Sequence, residues 1–412
     1  MVLNYIWIGF FVIAFIVGIC KMIFTGDYTV FSEMMSALFA AAKSGFEISI
    51  GLTGVLSLWL GFMKIGEKGG VVNALARWSS PLFSRLFPDI PKGHPANGSI
   101  FMNLAANMLN LDNAATPLGL KAIKELQDLN EQKDIASRSM IMFLVLNASG
   151  LTIIPVTLMV YRAQLGAANP ADICIPVLIS TLMATLAGLI FVCIKQKINL
   201  FDKVLLGFVL GIVFFIAAIV FWIQSLPQEK ISVYSSLIAN CLLFSILISF
   251  LISGIRKKIN VYEVFIDGAK EGFKTAVMII PYLIAILAGI ALFRASGAMT
   301  FLTDGLAYVA SFCGLPTDWV DAFPTALMKP LSGSGARGLM IDAMKTFGAD
   351  SFTGRLSCIF QGTTDTTFYV VAVYYGVVNI KKTRYTIPAA LFADLIGLIT
   401  AIVVAYLFFY KG

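Results

Sequence analysis

The sequence predicts an all-α, polytopic integral membrane protein of two inverted repeats with interrupted, re-entrant helices. Three observations predict it. The 412 residues are 58% hydrophobic and only 13% charged, with a mean hydropathy of +0.87, where a soluble domain carries about a quarter charged residues. Charge-free runs occupy Ile175–Ile194, Val204–Gln228, Ile231–Ile255 and Thr275–Phe293, and about 20 apolar residues suffice to cross a bilayer. Two further apolar segments are broken at matching places: Met140–Tyr161 by Asn147-Ala-Ser-Gly150, and Leu356–Ile380 by Gln361-Gly-Thr-Thr-Asp-Thr366. Unwound backbone at membrane depth is tolerated only where protein or a wet cavity satisfies it, and a matched pair of such breaks points to a midplane transport site.

The elements follow in order. Tyr5–Ile19 lacks a basic flank and a small-residue cleavage site, so it is expected to be a retained transmembrane helix. Phe31–Lys43 and Val261–Lys274 have apolar residues at three- and four-residue spacing and are expected as interfacial amphipathic helices. Lys64–Lys92 and Leu120–Arg138 are charged and are expected as cytoplasmic or cavity-facing helices. Asn97–Leu111, with Asn103, Asn107 and Asn110, and Ser332-Gly-Ser-Gly335 after Pro330 are read as helix breaks or hairpin tips. No two-residue alternation runs through the apolar segments, which argues against an outer-membrane barrel.

The chain repeats itself. Lys43-Ser-Gly-Phe46 returns as Lys270-Glu-Gly-Phe273, Gly119-Leu as Gly338-Leu, Asn147 aligns with Gln361, and Ile175-Pro176 returns as Ile387-Pro388. The order is kept, which defines a first repeat at 1–197, a linking transmembrane helix at 198–228 and a second repeat at 229–412. Lys and Arg collect on the cytoplasmic side. Lys381-Lys-Thr-Arg384 precedes the last span of the second half, whereas Asn169-Pro-Ala-Asp172 holds the equivalent place in the first. Lys195, Lys197 and Lys203 follow the last span of the first half, against Lys411 alone in the second. Equivalent loops of opposite charge character imply inverted halves, with the amino terminus cytoplasmic and the carboxyl terminus outside.

Other chemistries find little support. The six cysteines show no paired spacing, and His94 is the single histidine, so neither a disulfide framework nor a metal site is expected. No phosphate loop, zinc-protease motif or Ser/His/Asp set is present, and the protein is expected not to be an enzyme. A net charge of +7 fits loop lysines facing anionic lipid, and no nucleic-acid partner is expected.

The second half, through Pro330-Leu-Ser-Gly-Ser-Gly-Ala-Arg-Gly338, Gln361-Gly-Thr-Thr-Asp-Thr-Thr-Phe-Tyr369 and Lys381-Lys-Thr-Arg-Tyr385, resembles the spore maturation protein B family. The first half, from Asn4-Tyr-Ile-Trp7 to Leu111-Asp-Asn-Ala-Ala-Thr-Pro-Leu-Gly119, resembles spore maturation protein A. Both are membrane proteins of the nucleoside-recognition, or Gate, group. The resemblance implies a transporter-like fold with inverted repeats and hairpins in the bacterial inner membrane, and leaves the solute open.

At the breaks, Gln361, Thr363, Thr364, Asp365 and Thr366 gather an amide, hydroxyls and a carboxylate, and Asn147, Ser149 and Thr152 form a milder set. Such groups can replace the hydration of a polar solute, aided by half-helix dipoles, or can simply satisfy broken helix ends. Asp365, read as lying within a span, needs a partner or a wet cavity. Asn110, Asp112 and Asn113 at one tip and Ser332, Ser334 and Arg337 at the other complete the candidate substrate-binding set, with Asp112 or Asp365 as the expected carboxylate for Arg337. The function expected is transport of a small polar or anionic solute, nucleoside-like or other, at the interface of the repeats. The alternatives are a non-transporting scaffold in spore or envelope maturation and a protein handling lipid headgroups. No cofactor is expected; a coupling ion would be H+ or Na+. Partners are the solute and membrane lipids, with a homo-oligomer left open.

Overall fold

In an apolar solvent every backbone N–H and C=O must be satisfied within its own segment, which leaves the helix as the local solution for these runs. The computed structural model describes residues 2–91, 93–109, 112–225 and 228–410, with backbone alone for 2, 3, 78–80, 83, 112–114, 223, 224, 228, 229, 231, 232, 235 and 236. It is about 80% helical, with no strands among the described residues. The first half comprises α1 (Val2–Thr25), α2 (Val30–Gly69), α3 (Val71–Leu86), α4 (Pro95–Met108), α5 (Asp112–Asp128), α6 (Arg138–Ala148), α7 (Val156–Gln164) and α8 (Cys174–Gln196). After α9 (Lys203–Gln224) come α10 (Gln228–Arg256), α11 (Val261–Ala295), α12 (Ala298–Phe312) and α13 (Phe323–Met328). The chain closes with α14 (Gly333–Phe347), α15 (Phe352–Thr363), α16 (Thr367–Val377) and α17 (Thr386–Phe409).

Seven of the described helices are long and apolar enough to cross a membrane: α1, α2, α8, α9, α10, α11 and α17. Large apolar side chains stand exposed along α9 and α10, among them Phe214, Phe221 and Phe244, as a lipid-facing surface requires. The protein is therefore a multi-pass membrane protein. By contrast, α6 has 11 residues, a length of about 16 Å, and cannot cross a hydrocarbon core of about 30 Å.

One expectation is corrected. Phe31–Lys43 and Val261–Lys274 are not separate interfacial helices but the opening turns of α2 and α11, which run unbroken for 40 and 35 residues. The exposed pair Lys43–Glu47, 3.8 Å apart at i,i+4 spacing, satisfies the charges on the helix surface without ending the helix.

The chain forms two compact units, and each draws on both halves of the sequence. The first holds Met1–Leu60, Val160–Pro170 and Ala269–Gln361; the second holds Gly61–Met159, Ala171–Gly268 and Gly362–Gly412.

In the first unit, α2 and α11 approach backbone to backbone at two glycines. A Cβ at Gly45 would lie 3.1 Å from Ile284 Cα, and one at Gly272 only 2.6 Å from Ser57 Cα. Positions 45 and 272 are 227 apart, as are 57 and 284. The order of the two contacts along the helices is antiparallel. Trp7 on α1 donates its indole N–H to Ala285 O at 2.8 Å, fastening α1 to α11.

In the second unit, α8 packs along α17 through small residues, as membrane helices do where dispersion must replace the hydrophobic effect. Gly188 faces Ala393, and Gly397 faces Ala184 and the Thr363 methyl group. Helix α6, buried from Ser139 to Ala148, lies against both. Ser137 caps α6 by accepting from Met140 N at 3.3 Å. The loops before α6 and α17 are joined by Ala136 N–H to Lys382 O, 3.0 Å, and Lys381 N–H to Asp134 O, 2.8 Å. A Cβ at Gly397 would stand 2.5 Å from Thr363 Cγ2 and 3.0 Å from Ala184 Cβ. Gly397→Val is therefore expected to cost about 1–3 kcal/mol through overpacking, read as a lowered unfolding temperature in detergent.

Candidate functional site

In the second unit the two helix breaks meet. Helix α6 ends at Ala148 and α7 begins at Val156; α15 ends at Thr363 and α16 begins at Thr367. The freed carbonyl of Ala148 accepts a hydrogen bond from Asp365 N at 2.8 Å. The approach depends on Gly150, at φ 60°, where a Cβ would lie 2.9 Å from Asp365 N and 3.1 Å from Thr364 C. Gly150 and Thr364 are themselves counterparts, since Asn147 aligns with Gln361 and each lies three residues further on.

The polar residues of the breaks divide by what they do. Asn147 is buried, donates to Phe143 O at 2.9 Å and accepts from Asn107 Nδ2 at 2.7 Å. Ser149 is fully buried and donates to Leu146 O, 3.1 Å; Thr152 donates to Gly150 O, 2.9 Å. These hydroxyls satisfy the unwound backbone and keep their lone pairs for a further donor. Thr363, Thr364 and Thr366 are buried. The Asp365 side chain is exposed at the break, where Oδ1 accepts from Thr366 N at 2.6 Å. Lacking helical i→i−4 bonds, the turn projects the carboxylate away from the core. Asp394, buried in α17, accepts from Thr367 Oγ1 at 2.8 Å.

Gln361, Ser332, Ser334 and Arg337 belong to the first unit. Gln361 is buried and donates to Gly333 O at 3.3 Å, at the start of α14, while its Oε1 has no partner among the described residues. Ser332 caps α14 by accepting from Gly335 N at 3.0 Å, and the exposed Ser334 lies 3.3 Å from it, Oγ to Oγ. Arg337, on the next turn, places its guanidinium carbon 5.8 Å from the Tyr161 ring centroid. No carboxylate pairs with it among the described residues, so the expected ion pair is not found there. Asn110 lies outside the described residues, as do the side chains of Asp112 and Asn113. No group of three His, Cys, Asp or Glu suited to a metal ion occurs among the described residues.

Two features escaped the sequence reading. Arg162, completely buried, pairs with Asp350 at 2.9 Å and donates to Ala349 O at 2.6 Å. Asp350 also accepts from Ala168 N, 2.8 Å, and lies 3.5 Å from Arg355. The signal was one arginine directly after the apolar run that ends at Tyr161; its partner is 188 residues away. The second feature is the bond from Asn107, named in the sequence only as part of a helix break or hairpin tip, to Asn147, which extends the break network onto α4.

The fold and these breaks define a polytopic membrane protein with discontinuous helices. The sequence model of the nucleoside-recognition family, Gate, matches residues 49–167 and 276–381, more than half of the chain and both breaks. The chain belongs to the Gate, or nucleoside-recognition, family. Its halves are separately similar to two proteins of Bacillus subtilis (strain 168). Spore maturation protein A is 41% identical over 187 residues, 45% of this chain and 92% of that protein. Spore maturation protein B is 44% identical over 164 residues, 40% of this chain and 90% of that protein. The two cover different halves. No solved structure matches.

Proposed function

We propose that the chain is a transporter of the bacterial inner membrane for a small polar or anionic solute, without enzymatic activity, and that the joined breaks belong to its solute site. The observation that carries this reading is Asp365: an exposed carboxylate in a helix break whose sequence neighbours Thr363, Thr364 and Thr366 are buried. A charged side chain and unwound backbone within apolar segments are stable where water or a solute replaces the lost partners. The contact of Gly150 with Thr364 and the opposed charge of equivalent loops support inverted repeats, the architecture from which alternating access arises. The description of the family as nucleoside recognition makes a nucleoside the first solute to try. A second reading, a membrane scaffold in spore or envelope maturation, draws on the names of the two relatives.

The readings separate by accessibility. With the exposed cysteines Cys20, Cys241 and Cys313 changed to serine, Asp365→Cys is expected to react with a membrane-impermeant thiol reagent in both right-side-out and inside-out vesicles. Reaction from one face alone, or from neither, would count against transport and for the scaffold. Uridine uptake into proteoliposomes that is lost in Asp365→Asn, with folded protein retained, would identify a nucleoside as the solute.

A further inference from the structure

One end of the second unit gathers bases on two loops. Helices α8 and α17 are antiparallel, with Gly188 facing Ala393 and Gly397 facing Ala184. That register, carried nine residues further, sets Lys197 after α8 opposite Arg384 before α17. Lys195 and Lys197 thereby stand beside Lys381, Lys382 and Arg384, and Lys203 opens α9 at the far end of the α8–α9 loop. All six are exposed. None is held by a carboxylate among the described residues, unlike Arg85 and Arg138, which pair with Asp202 and Asp89. The exposed Glu131 and Asp134 of the α5–α6 loop bridge none of them.

Other groups hold these loops in place. Arg138 Nη2 donates to Gln196 O at 2.6 Å and Gln196 Nε2 to Arg138 O at 2.8 Å, tying the end of α8 to the start of α6. Ile198 N–H donates to Cys193 O at 2.9 Å, so the backbone closes α8 without a lysine. Thr386 Oγ1 lies 2.7 Å from the Tyr375 hydroxyl and donates to Thr383 O at 2.6 Å, which fixes the turn before α17. Of the six bases only Arg384 makes a side-chain hydrogen bond among the described residues, to Ala136 O at 3.4 Å. Lys197 and Arg384 occupy left-handed backbone, φ 56° and 51°, where glycine would be free of strain. Bases stand there nonetheless, presented on a fixed frame.

Apolar neighbours identify the partner. Phe201, between Lys197 and Lys203, is 82% exposed, and Ile194 beside Lys195 is exposed as well. Further along α17, the exposed Phe392, Leu395, Ile399 and Val403 follow one another at three- and four-residue spacing, a single stripe down a spanning helix. A soluble anion or an acidic protein would meet the bases and leave these side chains uncovered. An anionic phospholipid covers both, with its phosphate among the bases and an acyl chain along the stripe. We propose that this end of the second unit is a binding site for an anionic phospholipid, its headgroup held among Lys195, Lys197, Lys381, Lys382 and Arg384. The site shares no residue with the helix breaks and is independent of the transport reading.

The test titrates the full chain in detergent with dioleoylphosphatidylglycerol and with dioleoylphosphatidylcholine, and counts bound lipid by native mass spectrometry. Each base near an anionic lipid surface strengthens binding about fivefold, so phosphatidylglycerol is expected to bind at least tenfold more tightly. The combined changes Lys195→Gln, Lys197→Gln, Lys381→Gln and Lys382→Gln should abolish that preference. The same four positions changed to Arg should keep it. Removing four exposed bases elsewhere, Lys43, Arg77, Lys230 and Lys274, should alter it less than twofold. Lys382→Glu alone, at an exposed position whose side chain bonds nothing among the described residues, should cut it at least fivefold and does not depend on the multiple variant folding. A preference that survives the four Gln changes or Lys382→Glu, or that falls as far in the control, would overturn the site. Displacement of the lipid by an equal concentration of soluble glycerophosphoglycerol would overturn the lipid as occupant and assign the bases to a free anion.

Discussion

Asp350→Ala is expected to destabilise the folded chain by about 3–5 kcal/mol, more than removal of its fully buried partner. The order follows from which charge is stranded. Arg162 has no exposed side-chain surface, whereas the Asp350 side chain is 35% exposed. Without Asp350, a guanidinium that cannot be deprotonated stays buried, its charge faced by the carbonyls of Ala349 and Asn169. Without Arg162, Asp350 keeps solvent, the N–H of Ala168 and Arg355. Arg162→Met should therefore cost about 1–3 kcal/mol, the scale of lost hydrogen bonds to buried groups. Chemical unfolding of both variants in detergent decides the matter, and a larger loss in Arg162→Met would reverse the argument.

Gly150→Val should be similarly damaging for two separable reasons. Left-handed backbone costs a non-glycine residue about 1–2 kcal/mol, and a β-branched one is a genuine outlier there. The new side chain would also meet the backbone of Thr364 and Asp365, atoms that cannot rotate away, so the Ala148–Asp365 hydrogen bond should break as well. Gly166 supplies the control. It too has a positive φ, 80°, but nothing lies within 4 Å of a Cβ placed there. Gly166→Val should show the backbone term alone. If the two variants unfold alike, close approach at the breaks contributes nothing to stability.

The breaks were legible because glycine, amides and hydroxyls clustered inside runs otherwise free of polar groups. Asn147 to Gly150 and Gln361 to Thr366 stand out against phenylalanine, leucine and valine on either side. The continuity of α2 and α11 was not legible. Lys43, Glu47 and Lys270 look like the edge of a membrane segment, and only the paired, exposed placement of Lys43 and Glu47 reveals a helix passing straight through. Arg162 escaped for a further reason: what matters about it is an acid 188 positions away, which leaves no local pattern.

The composition of the compact units has a consequence for how the chain is made. Each unit needs segments from both ends of the sequence: the first joins Met1–Leu60 to Ala269–Gln361, and the second joins Gly61–Met159 to Gly362–Gly412. A growing chain emerges amino end first, and domains ordinarily fold as they are completed. Here neither unit can be completed before the second half of the chain is made. When α8 leaves the ribosome, its partner α17 does not yet exist, and the small-residue face that it will present to Ala393 and Gly397 must wait in the bilayer among lipids or other helices. The second unit can therefore close only once α17 has been inserted.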